Sequence, residues 1–148
     1  MTKTKIHRGD WVIVCDGRKA LILENLGDAK FPNLRMKEVR EHEDSPTSKL
    51  GTDAPGRVHQ SFGTARSSVE QTDWHDNAER HFLGELVRHL DILLSSDSKK
   101  RLIMVASPRA LGMLRQVYSP AVRNSIAIEL GKDLVKMPID EIERQLTD

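Results

Sequence analysis

If this chain performs chemistry, a few clusters of ionisable residues must supply it, and the densest is Asp73, His75, Asp76, Glu79 and His81. On a helix only His75 and Glu79 stand four apart on one face, and His81 points elsewhere. Neither HExxH nor CxxC occurs, so the spacing argues against a metal site. Acids at a helix start suit the macrodipole, which accounts for them without a ligand. Ser107 lies between an apolar run and a helical pattern, where a nucleophile can sit, but the glycines of G-x-S-x-G are missing and an N-cap role explains it. A phosphate loop at the same turn would need Gly-rich backbone, and Pro108 removes an N–H donor there. Asp16, after the first apolar run, reads either as a catalytic carboxylate at a strand end or as turn chemistry, and the turn is the simpler account.

A basic and polar set survives. Arg109 falls in the first turn of a helix, where a cation is unfavourable for the dipole and so calls for another reason. Ligands of open α/β sheets gather at the carboxyl ends of strands, which makes Ser107 and Arg109 a candidate anion site. Arg57 and Arg66, flanked by Gly56 and Gly63, are the kind of donors that grip phosphate, and Trp74 and His75 could stack a base beside them. Lys132 joins this set before the last apolar segment.

The elements that must position these residues follow from hydropathy. Leu102 to Ala106 is an unbroken apolar run, the pattern of a strand covered on both faces. Burying its four large side chains contributes about 1.5 to 3 kcal/mol each. Ser107 and Pro108 then open a helix with Leu111, Leu114 and Tyr118 at helical spacing. Trp11 to Cys15 and Ala20 to Leu23 are further apolar runs, and Asp16-Gly17 between them predicts a hairpin turn with positive φ angles. Leu34 to Arg40 alternates with one slip, which predicts a bulged edge strand. From about 41 to 72 periodicity vanishes, giving a long irregular loop of the kind that is either functional or disordered.

Asp73 reads as the N-cap of a helix from about Trp74 to Leu94, whose apolar face runs through Phe82, Leu86, Val87 and Leu90. Ser119-Pro120 opens another, with Val122, Ile126 and Leu130 on one face and Gly131 as its C-terminal cap. Leu134 to Met137 is expected as the last strand, and Pro138 opens a final helix with Ile139, Ile142 and Leu146 inward. The expectation is an α/β fold: one domain over residues 1–148, with a mixed sheet of about five strands flanked by helices, an antiparallel meander first and parallel additions after.

Composition narrows the function classes. The 23 Lys and Arg against 22 Asp and Glu leave a net charge of +1, so any polyanion site must be a local patch. The lone Cys15, inside an apolar run, reads as a buried inert thiol in a reducing compartment. The amino terminus has no apolar signal region, and no segment reaches the ~18 consecutive apolar residues of a membrane span. A cytoplasmic protein without membrane contact is the expectation, and no cofactor is implied.

Several stretches, taken in order, carry a resemblance: WVIVCDGRKALIL, GTDAPGRV, SSVEQTDWH, RLIMVASPRALGMLR and ELGKDLVKMP. Together they resemble the bacterial proteins named for attachment to host cells. That family is in turn similar to the middle domain of eukaryotic and archaeal peptide-chain release factors, which implies a ribonuclease H-like arrangement. The resemblance places Gly51, Asp53, Gly56, Arg57 and Arg66 in the family's loop, Pro108 and Arg109 in its strand-helix turn, and Lys132 and Asp133 before its last strand. Release factors of this type use a Gly-Gly-Gln tripeptide, which this sequence lacks. The nearest glutamine-bearing loop segment is GRVHQSFG, so no catalytic role passes to Gln60.

Three functional readings follow. One is a non-enzymatic binding module that contacts RNA or the ribosome through Arg57, Arg66, Arg109 and Lys132. Another is a metal-assisted hydrolase of an ester or phosphodiester using Asp16, Asp53 or His75. The last is an interaction protein in host attachment or envelope assembly that meets a protein partner, or a second copy, through the 41–72 loop with Val58 and Phe62. The non-enzymatic readings are favoured, because each catalytic constellation has a simpler explanation.

Overall fold

The computed structural model describes residues 5–42, 68–97 and 99–147, with residues 68–75 described along the backbone only. Its order is β1 (Trp11–Cys15), β2 (Lys19–Asn25), β3 (Leu34–Glu41), α1 (Ser68–Ser95), β4 (Leu102–Ala106), α2 (Pro108–Val117), α3 (Pro120–Ser125), β5 (Ile126–Gly131) and α4 (Ile139–Thr147). The strands form one mixed sheet in the order β3-β2-β1-β4-β5. The β1–β2 and β2–β3 pairs are antiparallel, and β1–β4 and β4–β5 are parallel. This arrangement is compatible with a ribonuclease H-like one.

The all-apolar sequences of β1 and β4 have their cause in their neighbours. Both strands are central, and every residue of each is buried. Trp11, Ile13, Cys15, Leu102, Met104 and Ala106 face Leu83, Leu86 and Leu90 of α1 and Leu111 and Leu114 of α2. The alternate residues Val12, Val14, Ile103 and Val105 face Ile142 and Leu146 of α4 with Leu134 and Val135 before it. Strand β3 is an edge, alternates in exposure, and shifts register opposite Ile22 and Leu23, so the slip in its sequence marks a real bulge.

Four expectations are corrected. The segment read as one helix to Leu130 is a six-residue helix followed by β5: Ser119 caps α3 by accepting from the Val122 amide at 3.1 Å, and the chain extends again at Ile126. Leu134 to Met137 is no strand; Leu134 and Val135 are buried in an irregular turn and plug the α4 face of the sheet. Asp73 caps nothing, because α1 begins at Ser68 and spans 28 residues, which also takes 68–72 out of the expected loop. Gly9 is the only described glycine with positive φ, so the Asp16-Gly17 turn is not built on positive φ.

Candidate functional site

The carboxyl ends of β1 and β4 lie side by side, and the Ser107 amide donates to the Cys15 carbonyl at 3.4 Å. There the chain leaves β1 through a turn that Asp16 holds with its own side chain. Its carboxylate accepts from the amides of Arg18 at 2.8 Å and Lys19 at 2.9 Å, while its amide donates to the Lys19 carbonyl at 3.0 Å. This turn chemistry occupies Asp16, the sequence's candidate catalytic carboxylate. Gly17 is needed for space: an added Cβ would lie 2.7 Å from Cγ and Cδ of Glu79 on α1.

Ser107 caps α2, its hydroxyl accepting from the Ala110 amide at 3.3 Å, and Pro108 occupies the first helical turn as its missing donor favours. Arg109 then turns to α1. Its Nε donates to Glu79 at 3.0 Å, and a terminal guanidinium nitrogen donates to Asp76. The hydrogen bond that Arg109 donates to Glu79, with the charges of both acids, raises the guanidinium pKa further. The reason for a cation in this helix's first turn is therefore a pair of carboxylates on the neighbouring helix. Arg109 clamps α2 to α1 and is not a free anion donor. The same pairing takes Asp76 and Glu79 out of the acid cluster read at the helix start, and His81 lies 4.0 Å from Glu85 instead. Among the described residues no group of three or more His, Cys, Asp and Glu side chains is placed to hold a metal ion.

Beside this clamp, Asp16, Arg18, Lys19, Glu41, His42, Val135 and Lys136 line a cleft of about 730 Å³. Arg18 and Lys136 are exposed, Lys19 approaches Glu41 at 3.8 Å, and the His42 amide donates to the Arg18 carbonyl at 2.7 Å. The His42 ring stacks on Phe82 with centroids 6.0 Å apart and planes at 11°. A smaller hollow of about 470 Å³ shares His42 and adds Arg40, His81 and Glu85. Lys132, exposed after β5, emerges near Pro108, whose Cγ is 3.9 Å from the Cβ position of Gly131.

Of the residues the sequence nominated, Ser107, Arg109 and Lys132 come to this carboxyl end. Arg57 and Arg66 lie outside the described residues, as do the side chains of Trp74 and His75. Sequence reasoning missed Arg18, Lys19, His42 and Lys136. The charges of the hairpin turn were visible, but the turn before α4 comes from a distant part of the chain and its approach was not.

Cys15 is fully buried at the end of β1, and burial, with Asp16 adding to it, pushes its thiol pKa up to about 12 from 9.0. A neutral thiol of that kind is neither nucleophile nor metal ligand at ordinary pH. On the far side of α2, Glu129 of β5 accepts from Tyr118 and Arg115, each at 2.8 Å; burial raises the Tyr118 pKa, and its hydrogen bond to Glu129 adds to that.

Fold and site together define an α/β domain with a polar, mainly basic cleft at the carboxyl ends of its parallel strands. Residues 11–146 match the family described as "Protein required for attachment to host cells", and the chain belongs to that family. It is also similar to an uncharacterised protein of Rickettsia prowazekii, with 24% identity over 136 residues, covering 90% of this chain and 89% of that one. No helix among the described residues is long and apolar enough to cross a membrane.

Proposed function

We propose that the protein is a non-enzymatic binding module whose ligand is RNA, held by its phosphates across the cleft at the carboxyl ends of the strands. The observation that carries this reading is the convergence of Arg18, Lys19 and Lys136 with His42 on one cleft, against Asp16 and Glu41 alone as acids. Asp16 is already occupied by two backbone amides and Glu41 faces Lys19, which leaves Arg18 and Lys136 to meet an anion. Lys132 extends the patch from the neighbouring strand end. Arg57 and Arg66 follow His42 in the sequence, outside the described residues, and this reading counts them as further phosphate donors. The resemblance to a release-factor domain supports RNA, or the ribosome, as the source of phosphate. Arg109 holds α2 in place.

A net charge of +1 makes the affinity modest and strongly dependent on salt. Binding of tRNA and of ribosomes by the full chain, measured across a salt series, tests the reading. Affinity at low salt that falls for Arg18→Ala, Lys136→Ala and Arg57→Ala, each reducing the salt slope by about one, supports it. No affinity, or affinity these substitutions leave unchanged, overturns it. The family's description names attachment to host cells, a cellular outcome, and RNA binding is one route to it. A protein partner captured by the full chain and lost on deleting residues 45–68, with no RNA affinity, would replace RNA with the interaction-factor reading.

A further inference from the structure

The two edges of the sheet are finished differently. β3 carries Arg35, Lys37, Glu38, Arg40 and Glu41 among its eight residues, is bulged in its middle, and has its Leu34 amide covered by the Glu143 carboxylate of α4 at 2.9 Å. Charge, a bulge and a covering helix are the devices that stop an edge strand from recruiting another strand. The opposite edge, β5, reads Ile-Ala-Ile-Glu-Leu-Gly. Its one charge, Glu129, is paired within the molecule with Arg115 and accepts a hydrogen bond from Tyr118, and its irregularity falls at the first step, leaving Ile128 to Gly131 in regular register. β5 has β4 on one side and no strand of the described residues on the other.

We propose that β5 pairs antiparallel with β5 of a second copy, about a two-fold axis beside Leu130, joining two sheets into one. Antiparallel pairing sets opposite each other residues that face the same side of the sheet. With Leu130 opposite Leu130, Glu129 lies opposite Gly131, Lys132 opposite Ile128 and Asp133 opposite Ala127. No like charges oppose, whereas centring the axis on Glu129 would set two carboxylates together. Ala127 lies in a hollow of about 470 Å³ that it shares with Arg115, Tyr118, Arg123 and Glu129. The Arg123 guanidinium lies over the Tyr118 ring and meets no carboxylate among the described residues, and Asp133 is exposed with no cation partner among them. The two-fold delivers Asp133 of each copy to the hollow that holds Arg123 of the other, so the contact is self-complementary in charge. A net charge of +1 leaves little long-range repulsion to keep two copies apart.

Sedimentation of the full chain at rising concentration tests this, with melting curves to confirm that each variant is folded. The expected species is a dimer. Arg123→Glu and Asp133→Arg each turn two symmetry-related attractions into repulsions and are expected to weaken it roughly tenfold. The double variant restores the opposite charges in reversed order and is expected to recover wild-type association. Introducing Ile128→Lys, which sets a charge at a half-buried position of the edge strand opposite Lys132, is expected to abolish the dimer. A chain that stays monomeric throughout overturns the proposal. So does a dimer indifferent to the single reversals, or a double variant no better than either single one.

Discussion

At the amino ends of β1 and β4 two buried polar side chains, Asp10 and Asn25, are fully partnered within the fold, beside a hollow of about 770 Å³ lined by Lys99, Lys100 and Arg101. Asp10 is 3% exposed, accepts from the His7 amide at 2.7 Å, and pairs with Arg101 at 3.0 Å. Asn25, fully buried, donates to the carbonyls of Ile6 and His7 and accepts from the amides of Gly27 at 2.9 Å and Asn33 at 2.8 Å. Lys100 donates to the Gly9 carbonyl at 2.9 Å and lies over the Trp11 ring. At the carboxyl ends of the same strands, Arg18, Lys132 and Lys136 are exposed beside an open cleft, while the Arg109 clamp, the Asp16 turn, the Ser107 cap and the Lys19–Glu41 pair are satisfied within the fold. Both ends are rich in charge. Asp10 and Asn25 at the amino end are engaged in closing the fold, whereas Arg18, Lys132 and Lys136 at the carboxyl end meet no carboxylate among the described residues.

The contrast breaks most visibly at Asn25. Asn25→Leu would leave the part-buried Gly27 and Asn33 amides and the buried Ile6 carbonyl without their partner, at about 1–3 kcal/mol for each group left unpaired. A loss of about 3–5 kcal/mol in urea unfolding is expected, a large share of the stability of a domain this size. A loss below about 1 kcal/mol would mean that water takes the place of the Asn25 side chain.

Asp10 comes next. Asp10→Asn keeps an acceptor for the His7 amide and removes the charge that pairs with Arg101. Arg101 is partly exposed and can rehydrate, so the expected loss is about 1–3 kcal/mol, below that of breaking a fully buried pair. Double-mutant measurement with Arg101→Ala should show the two effects to be non-additive. Additive losses would mean the pair is incidental.

Neither residue drew attention in the sequence, and the reason is physical. Asn25 closes an apolar run, where an asparagine looks like loop punctuation, and its partners are set by a chain path that hydropathy does not report. What hydropathy did report was local. β1, β2 and β4 were legible as continuous apolar runs, because a strand buried on both faces has no alternative composition, and the slip in β3 was legible as a bulge. β5 was not. Val122, Ile126 and Leu130 recur every fourth residue and imitate a helical face, while only pairing with β4 turns Ile126 to Gly131 into a strand. The plug of Leu134 and Val135 was apolar for burial alone. At the candidate site, Ser107 and Pro108 were placed correctly from capping rules. The partner of Arg109 could not be placed, because no local rule says that α1 crosses α2 at Asp76 and Glu79.

The turn at Gly17 sharpens the comparison from the carboxyl end. Gly17→Ala sets a methyl group 2.7 Å from Cγ and Cδ of Glu79 and 3.0 Å from its Cβ, so α1 or the turn must shift. About 1 kcal/mol is expected, the lower range for overpacking, because much of Glu79 is flexible. With Arg109→Ala in the background, Glu79 is released and the same methyl should cost less. An unchanged cost would show that backbone, not the clamp, sets the clearance.

The smallest effect on stability is expected at the exposed cations of the carboxyl-end cleft. Arg18→Ala and Lys136→Ala remove charges that satisfy no buried group, and together they should leave urea unfolding within about 0.5 kcal/mol of wild type. If the cations are held for an external phosphate, the same pair weakens tRNA binding at low salt and flattens its salt dependence. The amino-end variants should do the reverse at temperatures where they remain folded: lower stability with binding unchanged. Stability and binding that fall together at both ends would erase the distinction between buried groups that hold the fold and exposed cations that do not. The cleft cations would then belong to the fold.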